Sequence, residues 1–395
     1  MSEGKTHIHH CLKSGDNEST RQALRSLGIQ VEGEWTDLDV EGRGLHGFHP
    51  PEAPLDMGNS GTTTRLLLGL LAGQLFSVTL IGDASLSQRP MRRVTEPLEK
   101  MGAVFQGSDG GDRLPLTVRG GSLKGIRYAL PIPSAQVKSA LLLAGLYAKE
   151  PTTVIEPIPT RDHTERMLTY FGAQLRREGS ETTLLPGKPL KGRDLTVPGD
   201  ISSAAFFLGA AAIVPGSKVT VRQVGLNPTR MGFLELLRQM GASVQIQPKS
   251  SESWEPVGDV TVAAAPLMGI RIDSKIIPSV IDELPILMVV ATQAQGVSLI
   301  QGAGELRVKE TDRIVSMVTG LSAMGARIRA EGEEIRIEGP TLLKGAPVNS
   351  FNDHRTAMAL AVAGLSAQGE TAIEGSQWID ISFPEFVEFL DALRR

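Results

Sequence analysis

Cysteine is nearly missing from this chain: Cys11 stands alone. No disulfide can close within it, and such usage fits a reducing compartment. Long hydrophobic runs are missing too. The longest, Leu66–Ala72 and Ala205–Val214, are too short or too interrupted by glycine to cross a bilayer. No charged-then-apolar leader stands at Met1, so export is not expected and the cytoplasm is. Neither sign of charge dominates. A formal net charge of -4 gives no general attraction to nucleic acid or to a membrane. What remains is a chain of 395 residues, 41% hydrophobic, long enough for a large core and two domains.

One short pattern recurs. It reads SLGI at Ser26–Ile29, KMGA at Lys100–Ala103, YFGA at Tyr170–Ala173, QMGA at Gln239–Ala242 and AMGA at Ala323–Ala326, with a degenerate copy at Glu388–Leu393. The glycines fall roughly seventy residues apart, the signature of one supersecondary unit copied along the chain. A second helix start precedes each later copy, at Asn59, Ser134, Asp200, Asp282 and Asn352. Each unit reads as strand, buried apolar helix, strand, exposed amphipathic helix, then one or two strands. In the fourth unit the order is strand 195–197, helix 202–213, strand 218–221, helix 229–240 and strand 242–247. The glycine ends each exposed helix as a left-handed cap. Three units per lobe give residues 1–198 and 199–395, with the boundary at Pro198–Gly199. Counting back from Gly28 falls before Met1, so the first repeat is expected to be incomplete.

The starts of the buried helices are candidate sites. Gly58–Arg65 offers capping side chains, a glycine and an arginine one turn in. A helix N-terminus with these residues is either an ordinary cap or an anion site. Ser134-Ala135-Gln136 and Asn352-Asp353-His354-Arg355 repeat the arrangement. Cations gather in the loops entering the exposed helices, at Ser87–Pro90, Thr160–His163 and Arg307–Arg313, where they suit phosphate or carboxylate. A solvated first turn, and an i,i+3 pair between Glu310 and Arg313, is the plainer account. Asp282-Glu283 precedes an apolar run, where an acid either caps or catalyses. His7, His9, His10 and Cys11 have strand spacing and no second cluster, so no metal is expected. Pro198–Ser203 lacks the Lys of a phosphate loop and reads as a turn.

These motifs in this order give the chain its resemblance: Asn59–Thr62, Gln88–Pro90, Ser134–Gln136, TRDHTER at Thr160–Arg166, Asp282-Glu283, KETDR at Lys309–Arg313 and NDHR at Asn352–Arg355. The chain resembles the 5-enolpyruvylshikimate-3-phosphate synthase family from about Ser2 to Arg395. The resemblance implies a two-lobed inside-out α/β barrel of six βαβαββ repeats, the first truncated. It implies transfer of the enolpyruvyl group of phosphoenolpyruvate to the 5-hydroxyl of shikimate 3-phosphate, by a cytoplasmic monomer without cofactor or metal. By match, Asp282 and Glu310 are catalytic. Asn59, Gly61, Arg89, Gln136, Arg313 and Arg355 match phosphoenolpyruvate contacts. Ser134, Ala135, Gln136, Arg161, Asp282 and Lys309 match the shikimate-phosphate site. Glyphosate sensitivity is expected with Gly61 in place.

Two departures stand out. The family's Pro-Gly-Asp-Lys-Ser-x-x-x-Arg turn has no counterpart, so little turnover is expected of residues 1–395, with a weakly active or inactive remnant as the alternative. Ile381 stands where some members carry a Lys. A UDP-N-acetylglucosamine enolpyruvyl transferase is a further alternative, opposed by the lack of a Cys in Asp83–Gln88.

Overall fold

Burial follows the helical pattern closely enough to separate two kinds of helix. The computed structural model describes residues 1–249 and 254–393. In helix Ile201–Ile213 every residue except Ser203 is buried, and in Leu284–Gln293 every residue except Gln293. Helix Arg92–Met101 instead buries Val94, Thr95, Pro97, Leu98 and Met101, the spacing of one helical face, and turns its Arg, Glu and Lys outward. The all-round apolar helices form the interior; sheets and one-sided helices cover them.

The chain divides into two compact units, Met1–Val197 and Pro198–Arg395, each with its own apolar core. The first unit holds three sheets of one topology. In the second of them, Leu55–Asp56 runs parallel to Ser77–Ile81, which pairs antiparallel with Arg113–Arg119 and then Val104–Gly107. Arg127–Ala129, Thr152–Ile155, Glu181–Leu185 and Gln174–Glu178 repeat this order. The interior helices Gly61–Leu71 and Ala135–Gly145 cross closely, because a side chain at Gly69 would run into the Ala140 carbonyl.

The second unit repeats the plan with fewer strands. Its sheets are Lys218–Gly225, Val257–Ala263 and Ser243–Lys249; Arg271–Ile272, Gly296–Ile300, Glu334–Gly339 and Arg327–Glu331; and the pair Pro347–Asn349 with Ala372–Glu374. Among the described residues no sheet closes on itself through hydrogen bonds. The architecture is α/β with helices inside and open sheets outside.

One strand falls elsewhere than its sequence suggests. Asp194–Thr196 does not open the fourth repeat. It runs parallel to Ser2–His9 in the first unit, at the place that Leu55–Asp56 and Arg127–Ala129 take in the other sheets. The fourth repeat keeps only a parallel bridge between Gly199 and Val224 at that position.

The recurring glycines all end helices. Gly28, Gly102, Gly172, Gly241 and Gly325 have φ between 84° and 117°. In each copy the amide after the glycine donates to a carbonyl five residues back: Ile29 to Leu24, Ala103 to Leu98, Ala173 to Leu168, Ala242 to Leu237 and Ala326 to Leu321. The left-handed turn satisfies the last carbonyls and sends the chain back as a strand.

Candidate active site

In the first unit a chain of polar contacts surrounds the start of helix Gly61–Leu71. Ser60 caps that helix, its Oγ accepting from the Thr63 amide at 3.3 Å. Asn59, read as the helix start, does other work. Its Nδ2 donates to Asp83 at 2.6 Å, and its Oδ1 accepts from Arg89 Nη2 at 2.6 Å. Gly61 is the first helical residue. A Cβ there would stand 3.1 Å from Arg89 Nη1 and 3.2 Å from Arg65 Nη1, so the missing side chain lets two guanidinium groups approach the first turn. Arg65 donates to Gln136 Oε1 at 2.8 Å and to the Pro90 carbonyl at 3.3 Å. Gln136 returns a bond to Thr62 Oγ1 at 2.9 Å. Asn59, Gly61, Arg89 and Gln136 thus form one group.

Ser134 caps the next interior helix through the Val137 amide at 3.4 Å, and Ala135 is that helix's first residue. Arg161 stands on the loop between strand Thr152–Ile155 and helix His163–Tyr170, with Thr160 and Asp162 buried on either side. Two helix N-termini and a set of inward-held arginines suit anionic groups.

The second unit is built on carboxylates. Arg313 is 1% exposed and holds three of them. Its Nε donates to Asp353 at 2.8 Å, its Nη2 to Glu310 at 2.5 Å, and its Nη1 lies 3.5 Å from Asp282 Oδ1. Arg355 places Nε 3.8 Å from the same Asp282 oxygen and donates through Nη1 to the Asp282 carbonyl at 3.1 Å. Asp282 does not cap a helix. Glu283 occupies the N-cap of Leu284–Gln293 and makes no side-chain cap bond. Likewise Asp353, not Asn352, caps His354–Leu365, accepting from the Thr356 amide at 2.9 Å. Lys309 stands just after the turn Gly304–Val308, three residues before Asp312, which caps Arg313–Ala323. Glu310 and Arg313 make their i,i+3 pair, and the same bond joins Glu310 to the Asp282 cluster.

Charge states follow from this packing. Burial opposes the charge on Arg313, but Asp353, Glu310 and Asp282 outweigh it and raise its pKa above the usual arginine value. Burial first, and the neighbouring Arg355 second, lower the His354 pKa to about 4. Its imidazole is neutral at pH 7.

Two cations, Lys138 and Arg230, escaped the sequence reading. Lys138 lies inside an apolar helix, 2.8 Å from Glu156 and 2.7 Å from Glu165. A lysine in such a run was itself the signal. Arg230 stands 3.1 Å from Asp200 and 3.4 Å from Glu283 and also donates to Ser202. Its loop occupies the same repeat position as Gln88–Pro90, so the period could have found it. His7 and His9 stack at 5.9 Å, with Nδ1 atoms 2.6 Å from Asp39 and 3.0 Å from Asp37. Among the described residues no group of three or more His, Cys, Asp or Glu side chains is arranged to hold a metal ion.

The chain is similar to known proteins along nearly all of its length. The family model for EPSP synthase (3-phosphoshikimate 1-carboxyvinyltransferase) matches residues 1–390. A 3-phosphoshikimate 1-carboxyvinyltransferase from Syntrophomonas wolfei is 50% identical over 394 residues, covering 100% of this chain and 92% of that protein. One from Geobacter sulfurreducens is 49% identical over 391 residues, covering 99% and 91%. The solved EPSP synthase of Acinetobacter baumannii superposes with a TM-score of 0.88 at 43% identity, over 100% of this chain and 91% of that one. An enolpyruvyl transferase from Streptomyces tendae, at 17% identity and a TM-score of 0.80, shares the fold. With the family model, relatives of about half identity and a solved structure all matching along nearly its whole length, this chain belongs to the EPSP synthase (3-phosphoshikimate 1-carboxyvinyltransferase) family.

Proposed function

We propose that the chain transfers the enolpyruvyl group of phosphoenolpyruvate to the 5-hydroxyl of shikimate 3-phosphate, releasing phosphate, as a step toward aromatic amino acids. The observation that carries the reading is the buried Arg313, which bears both Asp282 and Glu310 on one guanidinium. The reaction adds the hydroxyl oxygen to C2 of phosphoenolpyruvate while a proton goes to C3. It then eliminates phosphate as C3 gives a proton back. Two proton transfers at different atoms call for two carboxylates held in place. Asp282 takes the hydroxyl proton. Glu310 serves the methylene carbon. Arg313 orients both, and Arg355, bonded to the Asp282 backbone, faces phosphoenolpyruvate with it.

In the first unit, Asn59, Gly61, Arg89 and Gln136 bind phosphoenolpyruvate, while Ser134, Ala135, Gln136 and Arg161 bind shikimate 3-phosphate. In the second unit, Asp282 and Lys309 bind shikimate 3-phosphate. The physical support is the pairing of helix N-termini with arginines, which suits two phosphates and two carboxylates. Gly61 leaves room beside Arg89, so inhibition by glyphosate belongs to the same reading. The enzyme acts as a cytoplasmic monomer without cofactor. No single helix among the described residues is long and apolar enough to cross a membrane.

Asp282→Asn tests the chemistry. It keeps the size of the side chain and removes the base, so kcat should fall ~10²–10⁴-fold while the KM of either substrate moves far less. A variant with native kcat would return Asp282 to a structural role.

A further inference from the structure

Lys138 is completely buried, and its ammonium joins three elements of the first unit. It stands one turn after Ser134, whose carbonyl accepts the Lys138 amide at 3.1 Å. Its Nζ meets Glu156, just past strand Thr152–Ile155, at 2.8 Å and Glu165, in helix His163–Tyr170, at 2.7 Å. Glu156 spends its other oxygen on the loop between them. Oε1 accepts from the Thr160 amide at 3.1 Å and from the Thr160 hydroxyl. A second tie runs parallel, from Ser139 Oγ to Thr164 Oγ1 at 2.6 Å. The loop so held is Thr160-Arg161-Asp162-His163.

A buried lysine with one buried and one half-buried carboxylate is a poor way to gain stability, since desolvation offsets most of the attraction. It is a good way to fix a geometry, because each partner is lost at high cost if the others move. The backbone of Thr160 hangs from Glu156, and Glu156 is oriented by Lys138. We propose that Lys138 is a positioning residue: acting through Glu156 and Thr160, it sets the height of Arg161 relative to Ser134 for binding shikimate 3-phosphate. The inference rests on the reading of Arg161 as a ligand of that substrate.

Two measurements on the full chain separate the inference from that reading. Hydrogen exchange of segment 156–163 tests the loop, and calorimetric titration with shikimate 3-phosphate tests the ligand. In Lys138→Met the Thr160 amide should exchange ~10-fold faster or more, while the core strand Ser77–Ile81 keeps its protection. Affinity should fall ~10–100-fold. Arg161→Ala should weaken binding similarly, and the double variant should be no weaker than the worse single one, because both remove the same contact. Lys138→Arg, which keeps the charge, should recover part of the loss.

If Arg161→Ala weakens binding and Lys138→Met does not, positioning is overturned and the ligand reading stands. If Arg161→Ala binds normally, the ligand reading fails. Native exchange at Thr160 in Lys138→Met overturns the positioning whatever the titrations give. Should Lys138→Met not fold, Thr160→Val removes only the hydroxyl tie and keeps the amide bond to Glu156, so the chain should still fold and binding should loosen ~3–10-fold. Native affinity in Thr160→Val would then overturn the inference.

Discussion

The same three helix positions are filled differently in the two units. Ser134, Ala135 and Gln136 are cap, first and second residue of one interior helix; Asp353, His354 and Arg355 are cap, first and second residue of another. The acceptors that orient the cations differ in the same way. Arg65 and Arg89 donate to the amides of Gln136 and Asn59 and to the Pro90 carbonyl. Arg313 donates to Asp353 and Glu310 and lies against Asp282. An amide aligns a guanidinium without opposing its charge, whereas carboxylates oppose and neutralise it. One repeat, copied, orients its cations by amides at these positions in the first unit and by carboxylates in the second.

The largest effect that could break this comparison comes from taking away the cation. Arg313→Met leaves Asp353, Glu310 and Asp282 without their common partner, all three at least three-quarters buried. Loss of one partner from a buried ionic group costs about 3–5 kcal/mol. Arg89→Met removes the bond to the Asn59 amide; it should cost less stability than Arg313→Met and act mainly on phosphoenolpyruvate affinity. Denaturant unfolding of both variants checks this. Equal losses of stability would mean the two clusters are alike after all.

A smaller effect follows from His354, which has Ala135 as its counterpart. Its folded pKa of about 4 lies below its unfolded value of about 6.5. Between those values the unfolded chain binds the proton more readily. The stabilisation is therefore complete above about pH 6.5 and is lost as pH falls toward 4, by about 3 kcal/mol in all. His354→Gln should flatten that part of the melting-temperature profile. An unchanged slope between pH 6.5 and 4 would show that His354 is not held neutral.

Much of this contrast was legible in the sequence, but not all for the same reason. The five x-Gly turns were visible because a left-handed cap demands glycine whatever surrounds it, and the interior helices because they are apolar on every face. The motif residues could be named but not their duties. NSGT offers two adjacent capping side chains, and only the fold decides that Ser60 caps while Asn59 turns to Asp83 and Arg89. The same one-residue shift separates Asn352 from Asp353. The strand Asp194–Thr196 was misplaced because its partner, Ser2–His9, is far away along the chain and no local pattern records that pairing. Lys138 stood out among alanines and leucines, but its partners did not, because Glu156 and Glu165 lie beyond a strand and a loop.

The smallest effect sharpens the comparison from the other side, by testing what the units still share. Gly102 and Gly325 end equivalent exposed helices with φ of 117° and 89°. Added methyl groups would meet almost nothing: the Ser122 carbonyl at 3.4 Å for Gly102, and open space for Gly325. Replacement by alanine therefore charges only the left-handed backbone, about 1 kcal/mol at either position. Gly102→Ala and Gly325→Ala should lower stability by the same amount, measured by urea unfolding, and neither should alter the affinity for shikimate 3-phosphate. If one costs several times the other, the cap is not a common part and the divergence of the units reaches into their scaffold. If the two agree, the repeat has kept its turn and its interior while only the helix starts and the loops facing them changed their chemistry.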